Sequence, residues 1–128
     1  MKAKVFHIKD MKFLGISNNH SIVLDDGKDA MAPMQALLVA MATCSAMDVW
    51  NIMKKKRQKL EDLEIEIEGE RADKYPKIFT KIKVTYVFKG EVEEKACKDA
   101  IELSLRKYCS IANMLNKSAE IEYEFIMK

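Results

Sequence analysis

Pro33-Met34-Gln35-Ala36-Leu37-Leu38-Val39-Ala40-Met41-Ala42-Thr43-Cys44-Ser45-Ala46-Met47-Asp48-Val49 is the stretch on which the reading of this chain turns. Neither glycine nor a further proline occurs from there to about Lys56. Proline suits the first helical position, because the amide hydrogen it lacks would have no partner there. The stretch therefore reads as one long helix, roughly 36 Å at the standard rise of about 1.5 Å per residue. Between Ala36 and Val49 almost every side chain is apolar or small, and a helix that is apolar all round needs cover on all sides. In a chain of 128 residues one sheet cannot provide it, so a second subunit is expected to.

The flanks read as strands and short helices. Residues 2 to 8, 11 to 16 and 21 to 25 form a small β-meander, with Asn18-Asn19 and Asp25-Asp26-Gly27 supplying residues that tolerate the positive backbone angles of tight turns. Residues 62 to 69 alternate strictly, Leu63, Ile65 and Ile67 against Glu64, Glu66 and Glu68, which is the pattern of a half-buried strand. After a turn at Asp73 to Pro76, a longer strand puts Ile78, Thr80, Ile82, Val84, Tyr86 and Phe88 on one face and ends at Gly90. The outward Glu and Lys rows predict antiparallel pairing of these two strands through facing opposite charges. A second helix is expected over Glu91 to Lys107, a third over Ile111 to Asn116 capped by the Ser110 hydroxyl, and a last strand over Glu120 to Met127. The order gives a single α+β domain over residues 1–128.

Composition narrows the function classes. With 22 basic and 20 acidic residues interspersed, the chain lacks the one-signed stripe of a nucleic-acid binder. The alternating start Met1 to Phe6 is no apolar signal core and no stretch is expected to reach bilayer length, so a cytoplasmic protein without a membrane partner is anticipated. Three cysteines without a secretory leader argue for free or reactive thiols rather than a disulfide framework. His7 and His20 have no second ligand at useful spacing, and no Cys-x-x-Cys or His-Glu-x-x-His occurs, so neither a metal nor another cofactor is expected.

The residues suited to chemistry are thiols. Cys44 lies inside the apolar helix, where a cysteine ordinarily packs as a small hydrophobe with a raised pKa. Cys109 precedes Ser110 and the short helix, where the positive end of a helix dipole eases ionisation. Cys97, within the second helix, reads as structural. Asp48, one turn after Cys44, would oppose thiolate formation and reads as a packing or inter-subunit hydrogen-bonding residue. The methionines around the central helix, with Met114, are mostly core filler, and could also line a greasy pocket.

Pro33 to Val49, followed 65 positions after its cysteine by Lys107-Tyr108-Cys109-Ser110-Ile111-Ala112-Asn113-Met114-Leu115, resembles the two-cysteine signature of the OsmC/Ohr family. The resemblance covers essentially the whole chain. It implies an OsmC-like fold, antiparallel sheets wrapped around a long central helix in an intertwined homodimer. It further implies a thiol-dependent peroxidase for small organic hydroperoxides, with Cys44 peroxidatic, Cys109 resolving, and a dithiol reductant restoring the pair. Active members of the family also place a Glu at the helix start and an Arg from the N-terminal strands beside the peroxidatic sulfur. Here Met34 and Gln35 follow Pro33, no arginine precedes Arg57, and Lys9 and Lys12 lack the forked geometry of a guanidinium. The chain is thus similar to a divergent branch, with Met34, Gln35, Met41 and Arg71 as candidate pocket residues. The alternative expectation is a non-catalytic dimer that binds a small apolar ligand, or senses oxidants, in the same interfacial pocket.

Overall fold

The computed structural model describes all residues, 1–128, and its backbone gathers into two compact units, Met1–Leu37 and Leu38–Lys128. In the first unit, β1 (Lys4–Lys9), β2 (Lys12–Ser17) and β3 (His20–Leu24) form the expected antiparallel meander. Asn18 and Asn19 make the second turn with φ of 49° and 65°, the two positive angles that a type I′ hairpin requires. Phe6, Leu14 and Val23 lie side by side on one face, and Val5, Gly15 and Ile22 on the other. Val5, Phe6, Ile8, Phe13, Ile22 and Val23 are all exposed, so neither face of this sheet is dry within the chain. The loop after β3 is held by the buried Asp25 carboxylate, which accepts hydrogen bonds from the amides of Gly27, Asp29 and Ala30. Burial pushes its carboxyl up, and the three amides together with the Lys12 charge outweigh that, leaving it below the ordinary carboxylate value.

The helix predicted from Pro33 is α1 (Pro33–Lys55). Gln35 Oε1 accepts a hydrogen bond from the Ala32 amide at 2.9 Å, half of a capping box in which the third helical residue reaches back to the N-cap. Met41, Ser45, Val49 and Met53 are buried, a single stripe at helical spacing. Val39 and Met47 remain exposed, so cover on every side is not met within one chain. With 23 residues, most of them apolar or small, α1 is also long and apolar enough to cross a membrane by length and composition. This corrects the expectation that no stretch reaches that length: Ala, Cys and Met side chains keep the run apolar even though it contains Asp48.

The second unit is built on β4 (Lys59–Arg71), β5 (Phe79–Glu91) and β6 (Glu120–Met127), with β5 central. Ile82, Val84, Tyr86 and Phe88 of β5 are fully buried, each contributing about 1.5–3 kcal/mol from apolar burial. The register shifts between Glu70 and Arg71, so that Glu70 faces Lys81 and Arg71 faces Phe79. This bulge leaves Thr80 out of register and turns Phe79 into the core, whereas the expected Ile78 and Thr80 are exposed. Phe79 lies over Gly69, where an added Cβ would approach its ring to 2.5 Å.

The β4–β5 pair is antiparallel, as predicted, but the charge rows act elsewhere. Lys81 and Lys83 pair with Glu122 and Glu124, each at 3.5 Å, across β6. β6 runs parallel to β5, because a helical crossover joins them. That crossover is α2 (Glu94–Leu103), a π-helical turn (Ser104–Tyr108) and α3 (Ser110–Leu115). A single helix from Glu91 to Lys107 is therefore not what forms: it starts three residues later and its end widens into the π turn.

Candidate functional site

The π turn carries the chain from α2 to Cys109. The Cys109 amide donates to the Ser104 carbonyl at 2.7 Å, a five-residue step that skips the Leu105 carbonyl an α-helix would have used. Asn113 Nδ2 takes up the Leu105 carbonyl at 3.2 Å and the Cys109 carbonyl at 2.8 Å. The predicted cap residue shifts by one. Cys109, not Ser110, is the N-cap of α3, and its Sγ accepts from the Ala112 amide at 3.4 Å.

This places Cys109 against α1. Cys44 Sγ, Cys109 Sγ and a carboxylate oxygen of Asp48 all lie within 4.8 Å of one another. The two thiols, 65 positions apart in sequence, are both free. Cys44 and Asp48, one helical turn apart, share a face of α1 and are half-buried, while Cys109 is fully buried. The Cys109 thiol also points to the Met41 carbonyl, at 3.9 Å.

The expectation that a helix N-terminus would ease Cys109 ionisation is overturned. Burial pushes its thiol up to about 11. The Ala112 amide pulls the other way but is outweighed, and the hydrogen bond and charge of Cys44 and the charge of Asp48 add to the rise. One amide of a six-residue helix does not offset the loss of water around a developing anion.

Beneath the thiols runs a buried polar chain that sequence reading missed apart from its Asp48 end. Ser104 Oγ donates to Asp48 Oδ2 at 3.0 Å, Ser104 and Ser45 hydroxyls lie 2.8 Å apart, and Ser45 Oγ and Tyr86 Oη 2.6 Å apart. A carboxylate only accepts and each hydroxyl has one proton, so the direction is fixed: Tyr86 donates to Ser45, Ser45 to Ser104, Ser104 to Asp48. Burial raises the Tyr86 phenol well above its ordinary value, which keeps it a donor. No buried side-chain nitrogen or oxygen is left without a partner. The signal for this network was Ser45 sitting in the apolar run, on the same face as Met41 and Val49.

Of the other candidates, Met41 is fully buried beside Cys109. Met34 is half-buried in the first turn of α1 and Gln35 serves as its cap. Arg71 is exposed and its Nε donates to the Lys77 carbonyl at 2.7 Å, which makes it a clasp on the β4–β5 connection. Lys12 lies 3.8 Å from Asp29 within the first unit. Cys97 is buried on α2 outside the donor cluster, and burial pushes its thiol up to about 11.

Known proteins resemble this chain in sequence and in fold. The family model described as OsmC-like protein matches residues 25–124. Protein YhfA of Escherichia coli K12 is 36% identical, over 98% of this chain and 96% of its own length. A crystal structure of a hypothetical protein from Aquifex aeolicus superposes with a TM-score of 0.89 at 36% identity, covering 99% of this chain and 96% of that one. An OsmC-like protein from Mycoplasma pneumoniae gives 0.86 at 18% identity, over 98% and 95%. The fold also recurs in a protein titled organic hydroperoxide resistance protein OhrB of Bacillus subtilis, with a TM-score of 0.67 at 14% identity over 98% of both chains. By family match, and by identity to YhfA along nearly its full length, the chain belongs to the OsmC-like family.

Proposed function

We propose that the chain, one domain over residues 1–128, is a two-cysteine peroxidase for small organic hydroperoxides, working in the cytoplasm without a cofactor. The carrying observation is the convergence of Cys44 and Cys109 sulfurs within 4.8 Å. A Cys44 thiolate attacks the terminal peroxide oxygen, the O–O bond breaks, and the alkoxide leaves as alcohol after taking a proton; sulfur becomes a sulfenic acid. Cys109 then attacks that sulfur and releases water, forming a disulfide. A dithiol reductant returns both residues to thiols by exchange. A bridge needs an S–S separation of about 2.05 Å, so side-chain rotation and a small local movement complete the step. A Cys109 thiol pushed up to about 11 by burial is a poor nucleophile toward peroxide, which leaves the first attack to Cys44, and its proton leaves with the sulfenic hydroxyl as water when the disulfide forms.

Met41 is the pocket residue with the best support, since its carbonyl already meets Cys109. Met34, Gln35 and Arg71 are assigned to the pocket of an intertwined homodimer, in which the N-terminal sheet and the exposed face of α1 bury their apolar side chains on a second copy. The OsmC/Ohr resemblance implies a homodimer, and the exposed Val5, Phe6, Ile8, Val39 and Met47 are what such a partner would cover.

The test is hydroperoxide-dependent loss of two thiols per chain, with the disulfide mapped by mass spectrometry. Cys44→Ser should abolish the loss, and Cys109→Ser should leave a stable sulfenic acid. A second reading, the same dimer holding a small apolar ligand or sensing oxidants, is favoured by Gln35 acting as a cap where active members carry Glu. No thiol loss with any alkyl hydroperoxide, together with a copurified apolar molecule, would select it.

A further inference from the structure

Asp48 takes no part in that redox cycle, yet its carboxylate stands with both sulfurs and is held there by Ser104. We propose that Cys44, Asp48 and Cys109 form a binding site for one soft or borderline divalent cation of the zinc class. Two thiolate sulfurs and one carboxylate oxygen hold it, and the fourth tetrahedral corner is open to water or a small ligand. The proposal stands on the positions of the donors and is independent of whether the pair reduces peroxides.

Three features support it. The first is spacing. Zinc bonds of about 2.3 Å to sulfur and 2.0–2.2 Å to oxygen set the donors of a tetrahedral site roughly 3.4–3.8 Å apart, and these three already lie within 4.8 Å. A closure of about 1 Å or less, within reach of side-chain rotation, completes the set. The second is donor chemistry. Two sulfurs select zinc-like over magnesium- or calcium-like ions, and two thiolates with one carboxylate give three negative charges to meet the cation. Binding releases the two thiol protons to solvent; no electron moves.

The third is the surrounding support. A ligating carboxylate is normally oriented by a hydrogen bond from a neighbouring group. Here Ser104 donates to Asp48 Oδ2, and the line behind it ends on the buried Tyr86. Cys109 is fixed by the π turn and by Asn113. Ligands at positions 44, 48 and 109 match no metal-binding sequence motif, which is why spacing along the chain gave no sign of them. The half-buried Cys44 and Asp48 leave a way in, while the buried Met41 and Ala112 meet Cys109 through their carbonyl and amide.

The experiment is an anaerobic titration of the reduced full-length chain with Co²⁺, read by visible absorption. The expected result is the intense band pattern of thiolate-bound tetrahedral cobalt, saturating at one equivalent per chain and displaced by Zn²⁺. Cys97→Ser should leave it unchanged. Asp48→Asn should weaken binding at least ten-fold, and Cys44→Ser/Cys109→Ser should abolish the sulfur bands. Cadmium NMR of the wild-type chain provides a count of coordinating sulfurs that requires no variant to fold, and should give two. No thiolate bands with the reduced wild type, bands that survive in the double variant, or unchanged affinity in Asp48→Asn would overturn the assignment.

Discussion

The Tyr86, Ser45, Ser104, Asp48 line makes a quantitative prediction about order along a hydrogen-bond chain. Tyr86→Phe removes the first donor. Ser45 then loses one incoming bond but still donates to Ser104, so the cost is about 1 kcal/mol, the net worth of one hydrogen bond. Ser45→Ala removes a middle link, leaving the fully buried Tyr86 hydroxyl without an acceptor and Ser104 without its donor. That costs about 2–4 kcal/mol, since two hydrogen bonds are lost and the orphaned phenol carries a desolvation penalty. In Ser45→Ala/Tyr86→Phe the orphan is gone. The double variant should therefore be no less stable than Ser45→Ala alone, a coupling of at least about 1 kcal/mol where independent sites would add. Urea unfolding at one fixed protein concentration measures this, since a partner copy would make stability concentration-dependent. Effects that sum to within about 0.5 kcal/mol, or a Ser45→Ala chain as stable as wild type, would refute the directional network.

The buried thiols set a pH dependence. Cys97 and Cys109 are both raised by burial from 9.0 to about 11, so as pH climbs through that window the unfolded chain gives up protons first, the native state holds more, and stability falls. Urea midpoints between pH 9 and 11 should decline, less steeply in Cys97→Ser; an unaltered slope in that variant would show that burial of Cys97 does not govern it. Asn113→Ala leaves the Leu105 carbonyl skipped by the π turn unpaired, and should cost about 1–3 kcal/mol by thermal or urea unfolding. Gly90→Ala drives a Cβ into the Lys59 carbonyl oxygen at a φ of 129°, and should destabilise the β4–β5 pair by at least about 2 kcal/mol. In the proposed homodimer, Phe6→Glu, on a sheet whose two faces are both exposed within the chain, should shift the equilibrium toward monomer in sedimentation velocity; an association state identical to wild type would remove this sheet from the proposed interface.

The elements whose periodicity is unbroken were legible from sequence. α1, β6 and the first meander fall within a residue or two of expectation, because each is fixed by local pattern and by Pro33, Asn18 and Asn19. What escaped depends on contacts distant along the chain. The bulge that exchanges Phe79 for Thr80 answers to Gly69 on the neighbouring strand, and the direction of β6 answers to the crossover before it. At the site, the thiols were nameable through family resemblance, and their convergence was required by it. Ser104, Tyr86 and Asn113 were not visible, since a serine opening the π turn and a tyrosine on β5 differ from ordinary core positions only once the fold has paired them. The pKa of Cys109 was misjudged for a similar reason: a helix terminus is local and readable, whereas burial is not.

The π turn at Ser104–Tyr108 has a consequence for how this segment tolerates change. It holds one residue more than an α-helical turn would, and each residue of a regular helix advances the chain by about 100°. Deleting any one residue there would relax the segment to ordinary helix and swing Cys109 around the axis away from Cys44, even if every other side chain were kept. Variants of this segment should therefore withstand exchanges of side chain far better than changes of length, and a deletion scan across 104–108 should silence the thiol pair at every position alike.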